Sequence, residues 1–197
     1  MIAVNTIALS DKSCLSVNKS EVMRYLGVKE MDDGTQQLYN QGVDDAFDAA
    51  NPRAIYTKTR IIVSENTVDF GFMTVKSEKL AKNLSGCNEA YIFCATLGIG
   101  LDRHFERLNK TSPARAMVFS AIGSSLVESL CDYVNNALSE GKDTRPRFSC
   151  GYGDFCIEHQ KDILVALEAE KRLGIYLTSS YMMVPVKSVT AIIGIRR

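Results

Sequence analysis

The segment Arg145-Pro-Arg-Phe-Ser-Cys-Gly-Tyr-Gly-Asp-Phe-Cys gathers residue types that small-molecule recognition uses. Arg147 offers a planar fork that can hold a carboxylate through two hydrogen bonds. Gly151 and Gly153 permit positive φ and a close approach of the backbone to a ligand. Tyr152 and Phe155 supply flat aromatic surface, the tyrosine with a hydroxyl as a polar handle. Such a loop suits a small zwitterionic or aromatic ligand. The same residues also suit a tight turn carrying a surface arginine. Cys150 and Cys156 bracket the glycines and are expected as two free thiols. A redox-sensitive disulfide or a metal site is the alternative, although two cysteines at this spacing are not a zinc signature.

Other chemistry finds little support. His104 and His159 are the only histidines, and neither has Cys, Asp or Glu at ligand spacing, so both are expected on helix surfaces. There is no Walker A loop and no Gly-x-Ser-x-Gly elbow. Gly98-Ile-Gly-Leu lacks the third glycine of a dinucleotide fingerprint. Neither a metal site nor a catalytic residue is expected.

The elements that position these residues belong to a chain of ordinary globular composition, 46% hydrophobic and 23% charged over 197 residues. That length fits one domain, which on folding buries about 70% of the surface of its unfolded chain. Lys plus Arg and Asp plus Glu number 23 each, so no global field draws the chain to nucleic acid or anionic lipid. Met1–Ser10 lacks the basic and apolar regions of a signal peptide, and no apolar run reads as a membrane span. A cytoplasmic location with six reduced cysteines follows as an expectation. Cys94 and Cys131 sit in apolar patterns and read as core fillers.

Helices are expected at 19–27, 34–50 and 77–84, stopped by Gly27, ended before Asn51-Pro52 and capped by Ser77, respectively. Others are expected at 101–108, 113–140 and 158–173. The long one buries Met117, Val118, Ala121, Ile122, Ser125, Leu126, Leu130, Val134 and Leu138 at helical spacing. Ala54–Ser64 and Thr67–Met73 suggest a hairpin around Ser64-Glu-Asn-Thr. Glu89–Thr96, Ile175–Thr178, Tyr181–Val184 and Ser188–Ile195 are further strands, and Arg145–Phe155 is a loop. The pattern lacks regular β-α-β alternation. It implies an α+β (mixed α/β) fold, a twisted, mainly antiparallel sheet packed with helices. Residues 1–50 form a helical N-terminal region and 51–197 the sheet-and-helix core of a single domain.

Arg147-Phe-Ser-Cys-Gly-Tyr resembles the Arg-x-x-x-Gly-Tyr motif of the activation domain of cobalamin-dependent methionine synthase. Leu177-Thr-Ser-Ser-Tyr-Met-Met-Val-Pro-Val-Lys-Ser-Val resembles that family's Leu-Thr-Glu-Ser-x-x-Met-x-Pro-x-x-Ser-Val segment. A helix lies between them, and Glu128-Ser-Leu-Cys-Asp-Tyr resembles the family's acidic-aromatic pattern. The resemblance implies a free-standing activation domain that binds S-adenosylmethionine. A partner methionine synthase, or another corrinoid protein, carries the cobalamin, and a flavodoxin-like donor supplies the electron. The domain's task is then largely positioning. Carried over, Arg147 pairs with the ligand carboxylate, and the backbone around Ser149 and Gly151 lines the adenosine or methionine moiety. Tyr152 packs on the ligand, and Glu128 lies near its ammonium or sulfonium. A solvated helix face remains the alternative for Glu128 and Asp132.

Three departures bear on that reading. The family continues beyond the last strand with a segment that contributes a tyrosine, so that part of the pocket is expected to be missing or supplied by a partner. Ser179 stands where glutamate is common, and Cys150 and Cys156 stand where proline is unsurprising. They leave two other functions open: a corrinoid-protein adaptor that has lost S-adenosylmethionine, and a thiol sensor built on the two cysteines.

Overall fold

The structure, a computed structural model, describes residues 3–7, 9 and 11–196; parts of the Met1–Ser10 reading and the terminal Arg197 lie outside them. A short strand, β1 (Asn5–Ile7), opens the described chain. Helix α1 (Lys19–Leu26) starts where the Asn18 side chain accepts from the Ser20 and Glu21 N–H groups, and it stops at a left-handed Gly27. Helix α2 (Asp33–Ala49) starts on Asp32. The N-terminal region is therefore more than helical, because β1 joins the central sheet.

The expected hairpin is only partly formed. Strands β2 (Arg53–Arg60) and β3 (Ile62–Val63) are separate, and only β3 pairs with β4 (Thr67–Asp69) across the Ser64 turn. Strand β5 (Thr74–Lys76) adds to β4, and α3 (Glu78–Asn83) follows on its Ser77 cap. β2 pairs along its whole length with β6 (Cys87–Thr96), from Arg53 opposite Thr96 to Arg60 opposite Glu89. The split falls at Ile61, which is buried and donates its N–H to the Asn88 carbonyl at 3.0 Å. Burying that side chain turns the strand out of one sheet and into the other.

Helices α4 (Ile99–Thr111) and α5 (Pro113–Ser139) follow β6. Of the apolar set expected in α5, only Met117 is exposed. Ser125 is buried because its hydroxyl accepts the Asn18 N–H at 2.9 Å. By length and composition α5 is long and apolar enough to cross a bilayer, contrary to expectation; most of that stretch is buried inside the protein.

The helix expected over 158–173 is broken into α6 (Gln160–Ala166) and α7 (Ala169–Leu173). Glu168 takes a left-handed φ of 50° at the break. Arg53 donates to the Leu173 carbonyl at 2.8 Å and ties α7 to β2. Strands β7 (Tyr176–Leu177), β8 (Met183–Val184) and β9 (Ser188–Arg196) complete the described chain.

The main sheet has the order β1-β2-β6-β9 with every pairing antiparallel. Residues Ala90–Thr96 of β6 are all buried, as a strand covered on both faces must be. One core includes Cys131 and holds α5 against Phe93 and Ile193; the other includes Cys94 and holds Ile92, Ile192 and the residues of α6 and α7. The fold is α+β, a mainly antiparallel sheet packed with helices.

Packing also explains Gly98-Ile-Gly. Gly98 takes a φ of 79°, and a Cβ on Gly100 would collide with the Ala49 carbonyl. The pair lets α4 start against the end of α2. Gly100→Ala should lower unfolding free energy by about 1–3 kcal/mol, the usual range for overpacking. Gly34→Ala in α2 meets nothing closer than 3.7 Å and should be neutral or stabilising by up to about 1 kcal/mol. Urea denaturation of both variants checks this; equal effects would contradict the packing account.

Candidate functional site

The Arg145–Phe155 segment is more ordered than a loop. Phe148 exchanges both backbone hydrogen bonds with Ile192, at 2.9 and 2.8 Å, and Arg145 donates to the Gly194 carbonyl at 2.8 Å. Residues 143–148 thus lie along the free edge of β9, with isolated bridges at Thr144–Ile195 and Phe148–Ile192. Alternation along extended backbone sends neighbouring side chains to opposite faces. Arg147 accordingly meets α5, while Phe148 stacks on Phe155 with ring centroids 6.4 Å apart.

Arg147 Nη2 donates to Glu128 Oε2 at 2.7 Å, and Nη1 donates to Asp132 Oδ1. Glu128 and Asp132 are four residues apart, so the helical repeat puts both carboxylates on one face, where they repel. The guanidinium between them relieves that repulsion. Burial works against the Arg147 charge, but the Asp132 hydrogen bond and the nearby carboxylates hold its pKa above the usual arginine value. Both acids of this helix face engage the motif arginine, Asp132 from an exposed position and Glu128 from a half-buried one.

Beside this cluster lies a pocket of about 300 Å³. Of the residues singled out in the sequence, Glu128, Arg147, Ser149 and Tyr152 line it, whereas Gly151 does not. Gly151 instead makes a turn, with a φ of 88° and its N–H on the Phe155 carbonyl at 2.8 Å. Gly153 serves packing too, since a Cβ there would run into the Lys79 stem. Tyr152 is 65% exposed at the rim, its ring tilted against Phe148 at 6.4 Å, while Phe155 is a core residue and offers no ligand surface.

Sequence reasoning missed Gln160, Ser188 and Thr190, all buried and all lining the pocket. Gln160 donates to the Tyr181 carbonyl at 2.9 Å. Ser188 Oγ lies 2.8 Å from Thr96 Oγ1 and 2.7 Å from the Pro185 carbonyl. The available signal was the alternation of Ser188 and Thr190 with apolar neighbours in a buried strand, since a buried polar side chain needs a partner. Broader, more open hollows beside α3 and beside α6 and α7 gather none of the expected site residues.

Cys150 is buried and Cys156 exposed, both as free thiols. Burial pushes the Cys150 thiol up to about 12, so it stays protonated near neutrality and is a poor nucleophile. His104 stacks on Phe119 at 4.7 Å and His159 on Phe155 at 5.7 Å, and both rings stay half-buried beside the carboxylates of Asp45 and Asp162, respectively. Among the described residues, no group of three or more His, Cys, Asp or Glu is placed to hold a metal.

Among solved structures, the chain is similar to the MetH reactivation domain bound to AdoHcy. The TM-score is 0.73 at 14% identity, over 98% of this chain and 78% of that one. No protein-family model and no curated protein matches it. At that identity the likeness is one of fold.

The far end of the loop is fixed by Asp154, whose carboxylate accepts from the Ser77 hydroxyl and from the Glu78 and Lys79 N–H groups. The Ser77 hydrogen bond, followed by those from the backbone, holds the Asp154 pKa below the ordinary value. Stabilisation from a depressed carboxylate is present above its unfolded pKa of about 3.9 and is lost as pH falls through the lower folded value. Asp154→Asn should lower the urea midpoint at neutral pH, and the gap to wild type should close below about pH 4. A gap that persists in acid would show that the charge contributes nothing.

Proposed function

We propose that this protein binds S-adenosylmethionine in the Arg147 pocket and presents its methyl group to a cobalamin-carrying methionine synthase, as a cytoplasmic accessory reactivation subunit. One observation carries the reading: Arg147 and Glu128 stand together on the wall of a sheet-edge pocket in a reactivation-domain fold. That solved neighbour is described as bound to AdoHcy, the product that remains when S-adenosylmethionine gives up its methyl group.

The residues present fit the ligand. S-adenosylmethionine carries a carboxylate, an ammonium and a sulfonium. Arg147 suits the first and Glu128 the positive centres, and the exposed Tyr152 ring suits stacking with adenine. A pocket of about 300 Å³ is at the lower end of the usual ligand-site range, so part of the ligand extends over Tyr152. The corrinoid, carried by the partner and reduced through a flavodoxin-like donor, supplies the cobalt that takes the methyl group. This chain's residues bind and orient the donor, and none is assigned a proton-transfer step.

A second reading has its own support. The two terminal Arg147 nitrogens, Nη1 and Nη2, are already engaged by Asp132 and Glu128, as suits a corrinoid-protein adaptor that no longer takes the methyl donor. Calorimetric titration separates the two. The first predicts micromolar binding of S-adenosylmethionine, weakened at least about tenfold in Arg147→Ala by loss of a charge-assisted contact. Equal affinity in the variant would remove Arg147 from the site. Absence of binding, with a corrinoid protein recovered by pull-down, would favour the adaptor.

A further inference from the structure

A second cavity, of about 230 Å³, lies between α4, α5 and the approach to β9. Leu101, Phe105 and Phe119 form apolar wall, and Asp102, Ser120 and Lys187 bring polar groups to it. The Lys187 ammonium donates to Ser124 Oγ at 2.8 Å and to Ser120 Oγ at 3.2 Å, which leaves one of its three N–H groups unused. Asp102 Oδ2 accepts the Val186 N–H at 2.9 Å, which leaves the other oxygen unused. Among the described residues neither group forms an ion pair, although both line the same small space.

Space for the lysine is built into the helix. A Cβ on Gly123 would come within 3.1 Å of Lys187 Cε, so the stem crosses α5 where that helix has no side chain. Burial lowers the Lys187 pKa against the pull of Asp102, and burial raises that of Asp102. Asp102 and Lys187 line one cavity beyond ion-pair distance of each other, so each offsets the other's burial only in part. Glu106, one turn along α4 from Asp102, adds a second carboxylate at the rim, so a simple anion is repelled there.

We infer that this cavity is a binding site for a small apolar α-amino acid, its carboxylate on Lys187 and Ser120, its ammonium on Asp102, and its side chain among Leu101, Phe105 and Phe119. A zwitterion gives both groups a direct charge partner at once, whereas a ligand with one charge leaves the other group without one. A cavity below the usual range of about 300–1,000 Å³ limits the occupant to a small molecule. The inference is independent of S-adenosylmethionine binding, because none of these residues lines the Arg147 pocket.

The test is titration of the full chain with L-leucine, 4-methylpentanoate and 3-methylbutylamine, followed by calorimetry or ligand-observed NMR. Leucine should bind, and each single-charge analogue should bind at least about tenfold more weakly, as expected when a charge-assisted contact is lost. Lys187→Met and Asp102→Asn should each weaken leucine by a similar factor and leave the S-adenosylmethionine titration unchanged. Phe105→Trp, which fills the cavity without touching either charge, should also abolish leucine binding and covers the case of a charge variant that fails to fold. Arg147→Ala should keep the leucine signal. Wild-type protein that ignores leucine, or leucine binding that survives both charge variants, would overturn the inference. So would leucine binding that is lost in Arg147→Ala, since the amino acid would then occupy the other pocket.

Discussion

The two backbone hydrogen bonds between Phe148 and Ile192 are the constraint on which the site depends. They turn what composition suggests is a loop into an extra ribbon on the edge of β9. Once that register is set, Arg147 must face α5 and Phe148 must face the other core. At the far end, Asp154 caps α3 and keeps the glycine turn from drifting. The pocket is thus held between a sheet edge and two helix attachments.

The electrostatics of the cluster follow from helix geometry. Glu128 and Asp132 share one face of α5, and a single guanidinium answers both. With two carboxylates and one guanidinium, the cluster carries a formal charge of minus one. A ligand bearing a carboxylate and positive centres can therefore exchange partners without burying a new unpaired charge. The Asp132 side chain is 67% exposed against 35% for Glu128. On the proposed reading, Asp132 is the acid that solvent takes over when a ligand carboxylate arrives, while Glu128 stays at the pocket wall to face positive charge.

Local signals made much of the fold legible. Gly27, Asn51-Pro52, Ser77 and Pro113 mark helix ends where the structure has them, because caps and proline act within a few residues. The Ala54–Ser64 hairpin misled because pairing of β2 with β6 is set by distant partners and by the burial of Ile61. The break at Glu168 follows from the attachment of α7 to β2 through Arg53, which helical periodicity does not encode. In the site, Arg147, Glu128, Ser149 and Tyr152 were legible from residue type and motif. Gly151, Gly153 and Phe155 looked like ligand contacts because a tight turn packed on a helix uses the same residues. Gln160 and Thr190 stayed hidden because their role comes from a buried contact between α6 and β9.

The proposed S-adenosylmethionine site requires Arg147 to change partners when the methyl donor binds. A crystal structure of the full chain with S-adenosylmethionine tests it most directly. The expected result is the ligand carboxylate on Arg147, Glu128 still at the pocket wall, and Asp132 released to solvent. Ligand bound elsewhere, with Arg147 still held by both Glu128 and Asp132, would contradict it.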